Sequence, residues 1–104
     1  INWQLPAHDI ARRTRAFNAV PVAHSTLAGQ TVRIWLAHTS KDEVTTAPPG
    51  MILRADKTGL AVAAGQGSVL LIDTLQMAGG KAMSASLLLN SRPAALQPGK
   101  GFGS

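Results

Sequence analysis

Histidine is the first residue type to consider for metal or acid–base chemistry in this 104-residue chain, because the chain has no cysteine. His8, His24 and His38 are too widely separated to match the spacing of a metal site. His24 is followed by Ser25, but adjacent strand residues point to opposite faces of a sheet, so the two side chains do not provide a base and a nucleophile. The sequence therefore predicts no catalytic residue and no metal site in this chain.

A glycine pair precedes a lysine at Gly79-Gly80-Lys81. The motif lacks the glycine spacing and the following Ser or Thr of a Walker phosphate loop. Its backbone amides and its ammonium group can still face a phosphate. The same residues can equally form a flexible joint before the last helix. The sequence leaves both interpretations open.

The balance of charge favours an anionic partner. Ten Lys and Arg stand against five Asp and Glu, which gives a net charge of +5, and a small domain this basic is typical of proteins that bind nucleic acid or a membrane surface. No apolar run approaches the roughly 20 residues that a membrane-spanning helix needs. We therefore expect a nucleic-acid partner, no membrane and no metal, and the absence of cysteine agrees with a cytoplasmic location. Because the first residue is Ile1 and not Met, we expect the chain to be part of a longer protein.

One helix is predicted near the start of the chain, at residues 6–17. Its buried face is predicted from helical spacing to contain Ile10, Thr14 and Phe17. Asp9 lies four residues before Arg13, so the two side chains are expected to form an ion pair.

Five strands are predicted from period-two alternation and from turn residues, at residues 22–27, 31–38, 51–55, 60–64 and 68–75. In the second strand the alternation predicts that Val32, Ile34 and Leu36 face the core, so Arg33 should face outward. A short helix is predicted after Ser84, whose hydroxyl can cap the first turn. The predicted fold is mainly β: a single domain over residues 1–104, built as a five-stranded OB-like barrel with an N-terminal helix and a short C-terminal helix.

Several short segments follow one another in a recognisable order along the chain. They are Arg15-Ala16-Phe17-Asn18, Val32-Arg33-Ile34-Trp35, Pro49-Gly50-Met51-Ile52-Leu53, Gly80-Lys81-Ala82-Met83 and Leu88-Leu89-Asn90-Ser91. Their order and spacing resemble the C-terminal domain of the methionyl-tRNA formyltransferase family over nearly the whole chain. Each segment alone is a weak signal, but together they are specific.

The resemblance implies a cytoplasmic two-domain enzyme that transfers a formyl group from 10-formyltetrahydrofolate to the methionine of initiator tRNA. It places the catalytic residues and the formyl donor in an N-terminal Rossmann-like domain outside this chain. We therefore expect no cofactor site here, and two partners: initiator methionyl-tRNA and that catalytic domain. The expected tRNA contacts, which match or nearly match basic positions of the family, are Arg15, Arg33, Lys57, Lys81 and Arg92. Our hypothesis is that these side chains neutralise phosphates and do not read bases.

Two alternative functions remain open. The same type of domain also forms the C-terminal part of sugar-nucleotide formyltransferases and formyltetrahydrofolate hydrolases, in which it would be a structural barrel without tRNA binding. A free-standing OB module for single strands would instead stack bases on exposed aromatic rings. Only Trp35 is predicted on an outward strand face, and its ring can equally pack beneath a helix.

Overall fold

A computed structural model gives the fold and describes residues 1–16, 23–27, 29–40, 43–56, 59–89 and 96–103. The elements, in chain order, are α1 (Ala7–Ala16), β1 (Ala23–Leu27), β2 (Gln30–Thr39), β3 (Ile52–Asp56), β4 (Gly59–Ala63), β5 (Val69–Gln76), β6 (Ala82–Ser84), α2 (Ala85–Leu89) and β7 (Phe102–Gly103). Neither helix is long and apolar enough to cross a membrane, as judged over these residues.

The strands form one antiparallel sheet in the order β3-β4-β5-β2-β1-β7. The short strand β6 pairs with the last residues of β5, on the side of β5 that faces away from β2. The sheet curls into a half-barrel. The last described segment connects the two ends of this sheet: β7 pairs with β1, while the Ile52 amide of β3 donates to the Lys100 carbonyl at 2.7 Å. The Phe102 amide also donates to the Gly50 carbonyl at 2.7 Å.

Aliphatic side chains from the concave face of the sheet and from α1 fill the core. Val32 and Ile34 of β2 are completely buried, and Ile10 and Thr14 of α1 pack on the same side, as the helical spacing predicts. Phe17, the third residue of that predicted face, lies outside the described residues. The Thr14 hydroxyl donates to the Ile10 carbonyl at 2.9 Å, so this polar group is hydrogen-bonded inside the core.

An aromatic pair joins the two ends of the chain. Trp3 and Phe102 stack with ring centroids 5.3 Å apart, and the Trp3 indole N–H donates to the Ser25 hydroxyl at 2.9 Å. Gly50 lies against the same pair: its φ is +95°, and a Cβ atom there would stand 2.6 Å from the Phe102 carbonyl oxygen. Glycine is required at this position by both its backbone conformation and the close approach of residue 102.

The predicted elements agree with the observed ones to within one or two residues at each boundary, and the mainly β architecture with two helices is confirmed. The Leu87 amide donates to the Ser84 hydroxyl at 3.3 Å, which confirms the predicted cap of α2. The predicted number of strands is wrong, because the described residues form seven strands and not five. The two additional strands, β6 and β7, are three and two residues long, too short for an alternation pattern to reveal them.

Two side-chain predictions are also corrected. The Asp9 carboxylate pairs with Arg12, at 2.6 Å, and not with Arg13; both spacings bring helical side chains together, and the i+3 partner is the one bound here. Leu36 was predicted to face the core but is 46% exposed, whereas Ala37 is 2% exposed. The register of β2 against β5 shifts on both sides of Leu36, and this bulge inverts the alternation from that point on.

Candidate nucleic-acid interface

Arg33 lies on the convex face of the sheet, within a row of residues that crosses four strands. It is exposed between the buried residues Val32 and Ile34, it is opposite His24 on β1, and it is opposite Gln76 on β5. Gln76 is in turn opposite Ala82 on β6. Directly opposite residues share one face of a sheet, so the whole row is on the outer face.

Lys81 lies at the end of this row, immediately before Ala82, and is exposed. Neighbouring strands are roughly 4.8 Å apart, so the backbones of Arg33 and Ala82, one strand to either side of Gln76, are about 10 Å apart. Arg33 and Lys81 are therefore brought to the same end of the sheet, although 47 intervening residues separate them in sequence.

A hydrogen-bonded turn connects β5 to Lys81. The Gly80 amide donates to the Met77 carbonyl at 2.9 Å, and Gly79 has a φ of +77°, as the third residue of a type II turn requires. The Gly80 amide is engaged within this turn, so the hypothesis that Gly79-Gly80-Lys81 holds a phosphate loses one of its amide donors. The ammonium group of Lys81 is unaffected.

Gln76 fixes this turn to the neighbouring strand. Its side-chain amide donates from Nε2 to the Gly80 carbonyl at 2.9 Å, and its Oε1 accepts the indole N–H of Trp35 at 3.0 Å. Both ends of the Gln76 amide are thus used inside the protein. The turn that leads to Lys81 is held in a defined position relative to β2.

An open groove of about 210 Å³ lies between the first half of β2 and this turn. Its lining residues are Thr31, Arg33, Gln76, Met77, Ala78 and Gly79. Arg33 is the one charged residue in that lining; Thr31 and Gln76 add polar groups, and Met77 and Ala78 add apolar ones.

The acidic side chains that the structure describes are bound to other basic side chains. Asp9 pairs with Arg12, and the Asp73 carboxylate is 2.8 Å from His38 Nδ1. Arg54 binds Glu43 and Asp56. Within this part of the chain neither Arg33 nor Lys81 takes part in an ion pair, so their charges are available to a ligand.

The cluster of Arg54, Glu43, Asp56 and Ser40 stabilises the fold and does not line the groove. Hydrogen bonds from Arg54 and then from Ser40 lower the pKa of the Glu43 carboxyl below its ordinary value. The same pairing raises the pKa of Arg54. The cluster ties the segment after β2 to β3.

Of the five predicted tRNA contacts, Arg33 and Lys81 are the two whose surroundings the structure describes, and both lie at the same end of the sheet. The backbone of Arg15 lies in α1, but its side chain is outside the described part of the chain. Lys57 and Arg92 lie outside the described residues altogether. Gln76 and the groove were not predicted. They depend on the register between β2 and β5, for which the sequence provides no local signal.

The described aromatic rings do not form a stacking surface. Trp3 and Phe102 are buried, and Trp35 is half-buried with its indole N–H bound to Gln76. A platform of exposed rings for single-stranded bases is therefore not present among these residues.

The comparison with known families decides which group the chain belongs to. The family model described as "Formyl transferase, C-terminal domain" matches residues 1–93. The chain belongs to this family. The resemblance noted in the sequence is thereby confirmed.

Individual relatives are similar over the full chain. The methionyl-tRNA formyltransferase of Methylobacillus flagellatus is 47% identical over 100% of this chain and 32% of its own length. The enzymes of the same name from Pseudomonas entomophila and Coxiella burnetii are 46% and 44% identical over 99% and 96% of this chain, and over 32% and 31% of their own lengths. The chain thus spans about a third of the length of these relatives.

Residues after the end of the family match also belong to the core of the fold. The family match ends at residue 93, whereas Leu96 and Phe102 are buried in the core and residues 100–103 connect the two ends of the sheet. The alignment with the Methylobacillus flagellatus enzyme covers all 104 residues. The domain of this chain therefore includes the segment beyond the family match.

Proposed function

We propose that this chain is the tRNA-binding domain of a methionyl-tRNA formyltransferase. In this proposal it binds initiator methionyl-tRNA in the cytoplasm and positions the acceptor end for a catalytic domain in the remainder of the longer protein. Relatives with that name, 42–47% identical over nearly the whole chain, support the proposal.

The observation that carries the tRNA-binding role is the pair of cations at one end of the sheet. Arg33 and Lys81 are exposed, come from opposite sides of β5 and have no acidic partner within the described residues. Cations in this arrangement neutralise phosphates and release counterions, which is the main source of sequence-independent affinity for nucleic acid. The sheet supplies the geometry, so binding follows the shape of the RNA backbone and not a base sequence.

The barrel is proposed to be OB-like, built from the longer strands β1 to β5 with β6 and β7 as additions. In this arrangement the curled sheet has a filled interior and uses its convex surface for binding. The formyl donor, 10-formyltetrahydrofolate, and the catalytic residues are assigned to the catalytic domain.

A competition experiment tests this function. The chain is mixed with labelled initiator tRNA at low salt, and the label is displaced with unlabelled initiator tRNA, a duplex RNA of similar length, or a short single-stranded oligonucleotide. We expect initiator tRNA to displace the label at the lowest concentration. Equal displacement by the oligonucleotide would indicate a single-strand-binding module. No binding at any salt concentration would indicate a structural barrel of the kind found in sugar-nucleotide formyltransferases.

A further inference from the structure

The groove beside Arg33 is suited to one unit of a nucleic-acid backbone. With a volume of about 210 Å³ it is too small for a complete cofactor of drug size. Its single charged lining residue is an arginine, whose planar guanidinium matches phosphate geometry with two parallel hydrogen bonds. The hydroxyl of Thr31 lies two residues before Arg33 on the same exposed face of β2, so a polar group adjoins the cation.

The opposite wall of the groove is held in place before any ligand arrives. Met77, Ala78 and Gly79 belong to the turn that the Gly80 amide closes and that Gln76 binds through its side chain. This wall has no charged side chain that would repel an anion. A site that is already ordered loses little conformational entropy on binding.

We propose that this groove binds one sugar-phosphate unit of the RNA backbone, with the phosphate on the Arg33 guanidinium. The proposal rests on the tRNA-binding function proposed above and assigns one phosphate contact to a defined site. Lys81 follows the turn and does not line the groove. In this proposal it neutralises a different phosphate.

Ala78 offers a test that leaves every charge unchanged. It is exposed, lines the groove and occupies the second position of the turn, where most residue types fit. Ala78→Leu fills the groove with an apolar side chain. Thr46→Leu is the control: Thr46 is exposed, and the backbone amide of its neighbour Thr45 donates to the Gly67 carbonyl just before the start of β5. Because β5 has eight residues, this control lies roughly 25 Å from Gln76 along the sheet.

The affinity of the 104-residue chain for initiator tRNA is measured across a salt series for the unmodified chain, Ala78→Leu, Thr46→Leu, Arg33→Met and Ala78→Leu/Arg33→Met. We expect Ala78→Leu to weaken binding severalfold and to lower the slope of log affinity against log salt by about 1, as Arg33→Met does, because the phosphate no longer reaches the guanidinium. The double variant should bind no more weakly than either single variant.

The contrary outcomes separate this inference from the function on which it rests. If Ala78→Leu behaves like Thr46→Leu, or weakens binding without changing the salt slope, the phosphate does not lie in the groove and this inference alone fails. If the unmodified chain shows no salt-dependent binding to tRNA, both the inference and the proposed function fail.

Discussion

At the scale of single residues, charge is divided between side chains that stabilise the fold and side chains that are available for binding. Arg54 is bound to two carboxylates, and Arg12 to one. Arg33 and Lys81 have no such partner in the described part of the chain. The exposure of Arg33 was predictable, because Val32 and Ile34 on either side of it are apolar. The pairing of each acid was not, since it depends on which strands and loops adjoin.

The ion pair of Glu43 with Arg54 makes the free energy of unfolding depend on pH. Arg54 lowers the pKa of Glu43 in the folded state, so the unfolded chain binds more protons in acid. The ordinary pKa of this carboxyl, 4.5, applies to the unfolded chain. The stabilisation is therefore complete above this pH, and it is lost as the pH falls from 4.5 through the lower pKa of the folded state. The pair is partly solvated, so we expect Glu43→Gln to lower the free energy of unfolding near neutral pH by no more than about 1 kcal/mol.

The same variant should make the free energy of unfolding less dependent on pH in acid. Urea denaturation at a series of pH values would measure this change. An acid limb identical to that of the unmodified chain would show that Glu43 does not contribute to it.

At the scale of elements, the site is made by the register between strands that are distant in sequence. Turn residues and alternation were enough to predict β1 to β5. They did not reveal β6 or the bulge that exposes Leu36, because both result from pairing with β5 and not from a local pattern. The alignment of Arg33, Gln76 and Ala82 in one row follows from that pairing. The sequence thus singled out Arg33 and Lys81 as candidate contacts but did not predict the groove that Arg33 lines.

Gln76 is the residue that connects these elements, and its replacement should have a measurable cost. Gln76→Leu removes the hydrogen bonds to Gly80 and from Trp35, and leaves a half-buried indole N–H without its partner. We expect the free energy of unfolding to fall by about 1 to 2 kcal/mol, as measured by chemical denaturation. Gln30→Leu, the same change at an exposed position of β2, is the control and should have little effect. Equal effects of the two variants would show that the hydrogen bonds of Gln76 do not hold the turn.

At the scale of the whole molecule, the last described residues complete the half-barrel. Leu96 and Phe102 are buried, Phe102 stacks on Trp3, and the segment bonds to β1 and to the start of β3. This role was not predictable, since the region is rich in glycine and β7 is only two residues long. The ends of the chain thereby become part of one core.

Removal of this segment should destabilise the domain. Burial of a large apolar side chain contributes roughly 1.5 to 3 kcal/mol, so a chain that ends at residue 95 should lose at least about 3 kcal/mol from Leu96 and Phe102 together. Thermal unfolding followed by circular dichroism would measure the loss, with a chain that ends at Gly103 as the control. Equal midpoints for the two chains would mean that residues 96–103 are dispensable.

The proposed function as a whole depends on phosphate recognition at the end of the sheet that carries Arg33 and Lys81. The most direct test is the salt dependence of initiator tRNA binding for the unmodified chain, Arg33→Met, Lys81→Met and the double variant. Lys100→Met, an exposed lysine on the edge segment, is the control with the same change of charge. We predict that each single variant at the site lowers the slope of log affinity against log salt by about 1 and the double variant by about 2, while Lys100→Met leaves it unchanged. Slopes equal to that of the unmodified chain in all these variants would contradict the account, because the tRNA would then be bound without these two cations.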